Sequence, residues 1–136
     1  MSEFAERWIK TIEDLAPGEF NWDYSEESVT RLDEFIDTRL WDPEGPRPTE
    51  AELTSNSILI GAYLGEVMIR NIGGEWAVDY FEGNKQPVVK IGSLAAFAPN
   101  KVYKRQVLGR QESLVAFYNH HRDLARRTKA RDEERS

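Results

Sequence analysis

Ser57-Ile58-Leu59-Ile60-Gly61-Ala62-Tyr63-Leu64-Gly65-Glu66-Val67-Met68-Ile69-Arg70, wound at about 100° per residue, is apolar almost all the way round. Ile58, Gly61, Ala62, Gly65, Ile69 and Ile72 make one face, and Ile60, Leu64, Val67 and Met68 another. A helix of this pattern belongs inside a core, so the fold is built around it. Gly61 and Gly65 each cost roughly 1 kcal/mol of helix propensity. That cost implies a second backbone or an aromatic ring pressed against the same face. Between the faces runs a narrow stripe, Asn56, Leu59, Tyr63, Glu66 and Arg70, in which Glu66 and Arg70 are ordered for an i,i+4 ion pair.

Thr49 with Glu52 three residues on forms a capping box that starts this helix at about Glu50, and Gly73-Gly74 ends it after Ile72. Beyond the glycines, Glu75 to Phe81 is rich in aromatic and branched residues and predicts a strand; a turn over 82–86 and a strand Pro87 to Ile91 complete a hairpin. Leu94 to Ala98 predicts a third strand, and Pro99 opens a short helix through Leu108 that Gly109 caps. The last helix begins at about Gln111 and presents Leu114, Val115, Phe117, Tyr118, His121, Leu124 and Ala125 on one side.

Upstream, apolar residues at three- and four-residue spacing predict a helix from Glu3 to Leu15, stopped by Pro17-Gly18. A second helix, capped by Ser25, carries Val29, Leu32, Phe35, Ile36 and Leu40 inward and ends near Trp41. Asp42 to Pro48 holds three of the six prolines and reads as a stiff loop. The expected architecture is a single α+β domain over 1–125. In it a small antiparallel sheet of two or three strands is packed by the central helix, a C-terminal helix and two N-terminal helices. Residues 126–136, with little but charge, are expected to be a disordered tail.

At 136 residues and 40% hydrophobic content, one core suffices without crosslinks. There is no cysteine, which excludes disulfides, thiol nucleophiles and thiolate metal sites. Met1 to Arg7 lacks the basic and apolar pattern of an export signal, and Ile58 to Ile72 is too short and charged to span a bilayer; a cytoplasmic protein is expected. Net charge is −6, divided as 15 acidic against 5 basic residues in 1–56 and 9 against 13 in 57–136. Either the two halves attract each other within the fold, or the acidic half steers a protein partner. The overall sign argues against nucleic acid.

Candidate chemistry centres on the stripe. Tyr63, Glu66 and Arg70 read as the wall of a polar pocket, with Glu66 as base or ligand hook and Arg70 as anion hook. The competing reading is a hydrogen-bonded edge of the core, with Glu66 accepting from the Trp76 indole or from Arg105. His120 and His121 point about 100° apart on a helix and do not make a metal site by themselves. Asn100 to Arg105 mixes basic and aromatic residues, a composition that binds phosphate or single strands or pairs internally with the acidic half. No phosphate loop, dinucleotide turn, nucleophile elbow or zinc motif occurs, and no cofactor is expected.

Gly61-Ala62-Tyr63-Leu64-Gly65-Glu66-Val67, Gly73-Gly74-x-Trp76, Pro99 through Arg105, and Gly109-x-x-x-Ser113-Leu114-x-x-Phe117-Tyr118 together resemble a family of small bacterial proteins with no assigned activity. The resemblance covers roughly 53–121 and implies a bacterial origin and a shared fold, with no catalytic residues to carry over. The functional expectation is a non-catalytic protein-binding or regulatory module, a neutralising partner included. The alternative is a small enzyme or ligand-binding protein with a polar site on the central helix, its candidate ligand-binding residues being Tyr63, Glu66, Arg70, Trp76 and Arg105. A homodimer through Trp22, Trp41 or Tyr24 is a third reading.

Overall fold

Thr49 opens the central helix with both arms of a capping box. Glu52 N donates to Thr49 Oγ1 at 3.1 Å, and Thr49 N donates to Glu52 Oε1 at 3.3 Å, satisfying two of the N–H groups that a helix start leaves unpaired. The computed structural model describes residues 1–40 and 44–135. Their elements run α1 (Ser2–Leu15), α2 (Ser28–Phe35), α3 (Glu50–Asn71), β1 (Glu75–Phe81), β2 (Asn84–Ile91), β3 (Leu94–Ala96), α4 (Ala98–Leu108) and α5 (Leu114–Arg135). The α+β class expected from the pattern is the one seen, with a three-stranded antiparallel sheet in the order β1-β2-β3.

α3 is buried continuously from Ile60 to Met68. A methyl group at Gly61 would lie 2.5 Å from Pro99 Cα, and one at Gly65 would lie 2.1 Å from the Trp76 ring. The two glycines therefore admit the backbone of α4 at one position and an indole from β1 at the other, the close approach their cost implied. Gln106 of α4 reinforces the first contact, donating to Ser57 Oγ at 3.0 Å and accepting from Asn56 Nδ2 at 3.2 Å. On the far side of α3 the rings of Trp8, Trp22, Phe35 and Tyr63 meet at centroid distances of 4.7–6.0 Å, the geometry of favourable aromatic pairing. Trp22 is thus core and not an exposed dimer contact.

The hairpin is tighter than expected. β1 pairs with β2 from Glu75↔Lys90 to Phe81↔Asn84, which leaves only Glu82 and Gly83 as the loop, at φ 50° and 79°. Positive φ at both central residues is the two-residue turn whose twist suits a hairpin. β2 therefore begins at Asn84 and contains Pro87, opposite Val78. Pairs alternate outward from Phe81–Asn84, so the nitrogen of Pro87 points away from β1. β3 pairs only with Val89 to Ile91 and does not reach that side, so the missing N–H leaves no gap in the ladder.

Three further boundaries differ from expectation. β3 stops at Ala96 and not Ala98, because Pro99 belongs to the first turn of α4. α5 begins at Leu114 because Arg110–Glu112 form a 3₁₀ turn behind Gly109, whose φ is 91°. α2 begins at Ser28, with Ser28 N donating to Ser25 Oγ at 3.2 Å, and passes into a π-helical turn at Ile36–Leu40. The expected helix end near Trp41 and the first two residues of the proline-rich loop lie outside the described residues. α5 continues as helix through 126–135, the stretch expected to be a tail, where Arg, Lys, Ala and Glu are all good helix formers.

Candidate functional site

The stripe on α3 does have an occupant, and it is the protein's own Tyr24. The Tyr63 hydroxyl is fully buried; it donates to Ser28 Oγ at 2.8 Å and accepts from Tyr24 N at 3.0 Å. The two tyrosine rings stack at 4.9 Å and 22°. Arg70 lays its guanidinium 3.6 Å from the Tyr24 ring centroid, and Asn71 Nδ2 donates to Tyr24 O at 2.8 Å. Tyr24 sits at φ 60°, a left-handed conformation that costs a non-glycine residue about 1–3 kcal/mol and persists only when its surroundings fix it. Its hydroxyl donates to Glu6 Oε1 at 2.5 Å. Burial, and then that bond, push its ionisation well above the ordinary phenol range.

Two expected pairings are absent among the described residues. Glu66 and Arg70 form no ion pair, because Arg70 is drawn over the Tyr24 ring instead. Glu66 is 7% exposed and takes no hydrogen bond from Trp76 or Arg105. The Trp76 indole lies against Gly65 with its Nε1 buried and unbonded, and Arg105 is committed elsewhere. Of the five candidates, Tyr63 and Arg70 converge on Tyr24, whereas Glu66, Trp76 and Arg105 do not join them.

Arg105 is 3% exposed and holds two carboxylates of the N-terminal half. Its Nε donates to Asp33 Oδ1 at 3.0 Å, and one terminal nitrogen donates to Asp37 Oδ1 at 2.6 Å. Burial alone would lower its ionisation, but the bonds to Asp37 and Asp33 outweigh that and raise it, so the charge is permanent. Asp33 does more than pair. Its carboxylate also accepts from Leu114 N at 3.0 Å, Val115 N at 3.1 Å and Ser113 Oγ at 3.1 Å. It thereby caps the N-terminus of α5 from another helix, where a negative charge is favoured. Arg110 Nε reaches Asp37 at 3.1 Å, so two cations face two anions. The cluster braces α2, α4 and α5 and has no net charge with which to attract an anion.

Asp33 and Asp37 escaped the sequence reading, although two carboxylates four apart on the apolar flank of a helix are the signal that marks them. Similar bonds cross the halves elsewhere. Glu26 accepts from the Tyr118 hydroxyl at 2.7 Å and from Arg122 at 3.3 Å, and these partners hold its carboxyl below the usual range. Tyr103 donates to Glu50 at 2.6 Å. Part of the charge asymmetry is therefore internal attraction, through Glu26, Asp33 and Asp37.

Two clefts open beside these groups. One, of about 210 Å³, lies between Ile36, Asp37 and Leu40 of the π-helical turn and Gln106 and Arg110. The other, of about 250 Å³, is lined by Phe81, Phe97, Phe117, Lys101, Lys104 and His121. Tyr63, Glu66 and Arg70 line neither. No family model, curated protein or solved structure matches the chain. Among the described residues no three histidines or carboxylates are placed to hold a metal ion, and no helix is long and apolar enough to cross a membrane.

One unpartnered feature among the described residues is the outer edge of β1. The alternation that starts at Phe81–Asn84 turns the backbone N–H and C=O of Trp76, Val78 and Tyr80 away from β2. Val78 is 57% exposed and Tyr80 66%, both large apolar side chains on the sheet face that carries Trp76. Tyr80 N is bonded to its own Asp79 Oδ1 at 2.8 Å, the kind of local cover that natural edge strands use.

Proposed function

We propose that the chain is a non-catalytic protein-binding module that takes an extended segment of its partner along β1. The observation that carries this reading is the seven-residue edge itself, with Val78 and Tyr80 standing free beside outward-facing backbone groups. Strand addition draws affinity from main-chain hydrogen bonds and specificity from alternate side chains, and β1 offers both. The fate of the polar residues supports it further. Tyr63 and Arg70 are engaged with Tyr24, and Arg105 with Asp33 and Asp37, so three of the candidate site groups are used to hold helices together. A partner meeting the acidic helices in addition would gain in association rate.

The test is capture from bacterial extract with the wild-type protein beside a Val78→Lys variant, which places a charge on an exposed edge position and leaves the core untouched. A protein retained by the first and lost by the second is the expected result. Capture unaffected by Val78→Lys removes β1 from the interface. A second reading, a small-ligand protein, draws on the cleft of three phenylalanines with Lys101 and Lys104, a composition suited to an aromatic anion. A small molecule co-purifying with the wild type and lost from Lys104→Ala would favour it over the first.

A further inference from the structure

We infer that the partner of this edge is a second copy of the same chain, joined through β1 in antiparallel register about Val78. The inference rests on the reading of β1 as the docking edge. Its ground is the self-complementarity of Glu75-Trp76-Ala77-Val78-Asp79-Tyr80-Phe81.

An antiparallel pair of identical strands must place outward-facing residues opposite one another, because only these have N–H and C=O to exchange. For β1 those are Trp76, Val78 and Tyr80. A two-fold axis through Val78 sets Val78 against Val78 of the second copy, Trp76 against Tyr80, and Tyr80 against Trp76. Each of the three pairs exchanges two N–H···O bonds, and the whole strand is matched. The inward-facing residues then fall as Glu75 opposite Phe81 and Ala77 opposite Asp79, so no carboxylate faces a carboxylate.

Sliding the register by one step either way removes this. An axis through Ala77 puts Glu75 opposite Asp79, and an axis through Asp79 puts Asp79 opposite itself; like charges directly opposite are destabilising. Only the Val78-centred pairing uses the full strand, avoids those clashes and sets both exposed apolar side chains against apolar ones. Trp76–Tyr80 and Val78–Val78 are also aromatic and β-branched cross-strand pairs of the kind that stabilise sheets.

The opposite edge does not compete. β3 has three residues and leads within two into α4. Nor does charge forbid the contact: Asp79 has Lys90 at 3.9 Å, and the Asp79 cover on Tyr80 N can swing off at the cost of one exposed hydrogen bond. One strand edge buries less surface than a permanent dimer needs, so the association is concentration-dependent. Each chain carries −6 overall, so added salt tightens it.

The absence of native cysteine gives a test of the register itself. In the Val78-centred pair the two Val78 Cα atoms lie about 5.5 Å apart, whereas the two Tyr80 positions are offset by four residues, about 14 Å along the strands. Val78→Cys treated with a short bis-maleimide at ~100 µM protein gives a covalent dimer in high yield, and Tyr80→Cys at least tenfold less. Wild type approaches twice the monomer mass in sedimentation equilibrium as concentration rises, and Val78→Lys remains monomeric. Equal crosslinking at both positions, or a wild type that stays monomeric at ~1 mM, overturns the inference. If the chain is monomeric yet still captures a protein in a Val78→Lys-sensitive way, the second copy is refuted and the docking edge stands. If both readouts fail, both readings fall.

Discussion

Replacing Asp33 by alanine removes four hydrogen bonds from one carboxylate: two to the first turn of α5, one to Ser113 and one to Arg105. Loss of a capping acid costs about 1–2 kcal/mol. The bond to a charged donor at a site only 3% exposed adds about 1.5–3 kcal/mol. Arg105 keeps Asp37 and is not stranded, and Ser113 Oγ still accepts from Ala116 N at 3.2 Å, so the lower parts of both ranges apply. The expected loss is about 2.5–3 kcal/mol, or roughly 10 °C in Tm for a chain of this size. Asp33→Asn separates the contributions. Its single carbonyl oxygen can serve Leu114 N while its amide meets Val115 N donor to donor, so it loses about half as much. Urea unfolding with the midpoint and slope read separately is the assay. A loss below 1 kcal/mol for Asp33→Ala, or an equal loss for both variants, would refute the remote cap.

Gly61→Ala and Gly65→Ala both destabilise despite gaining helix propensity, by about 1–3 kcal/mol. Gly61→Ala is the worse of the two, because Pro99 backbone yields less than the Trp76 ring; the reverse order in thermal unfolding would contradict the packing described. Tyr63→Phe strips the acceptor from Tyr24 N and costs about 1–3 kcal/mol, visible in hydrogen exchange as lost protection of the Tyr24 amide. Burial holds His121 below the ordinary range, with His120 and Lys101 adding to it and the Phe117 O bond opposing. The unfolded chain therefore takes up a proton near pH 6.5 that the folded one refuses until lower pH. Stability present above about pH 6.5 is lost as pH falls below it, and His121→Gln flattens that part of the profile. An unchanged profile would show that His121 does not contribute.

The central helix was legible because its signals are local: a capping box, a pair of terminating glycines and an apolar surface on every side. Gly61 and Gly65 even announced close contact, though not that Pro99 and Trp76 supply it. The hairpin turn was read too long because Pro87 suggests a strand start, and only the pairing shows β3 falling short of it. The stripe misled for a different reason. Tyr63 and Arg70 were rightly seen as polar groups needing partners, but the partner is a residue 39 positions upstream of Tyr63 in a conformation few side chains adopt. The spacing of Asp33 and Asp37 marks two acids in need of partners, but nothing local names Arg105, 72 positions from Asp33, since ion pairs between helices follow from the assembled fold.

The reach of Asp33 also bears on how the chain comes into being. Its partners in α5 lie 81 and 82 positions further on, so at a synthesis rate of 5–20 residues per second they emerge roughly 4–16 s after it does. Over that interval the hydrophobic side of α2 has no C-terminal helix to lie beneath, while α3 and Trp76, separated by a few residues, can already close on each other. The N-terminal aromatic rings find Tyr63 of α3 early, but the carboxylate of Asp33 waits for α5, and α2 is tied down only when that helix arrives.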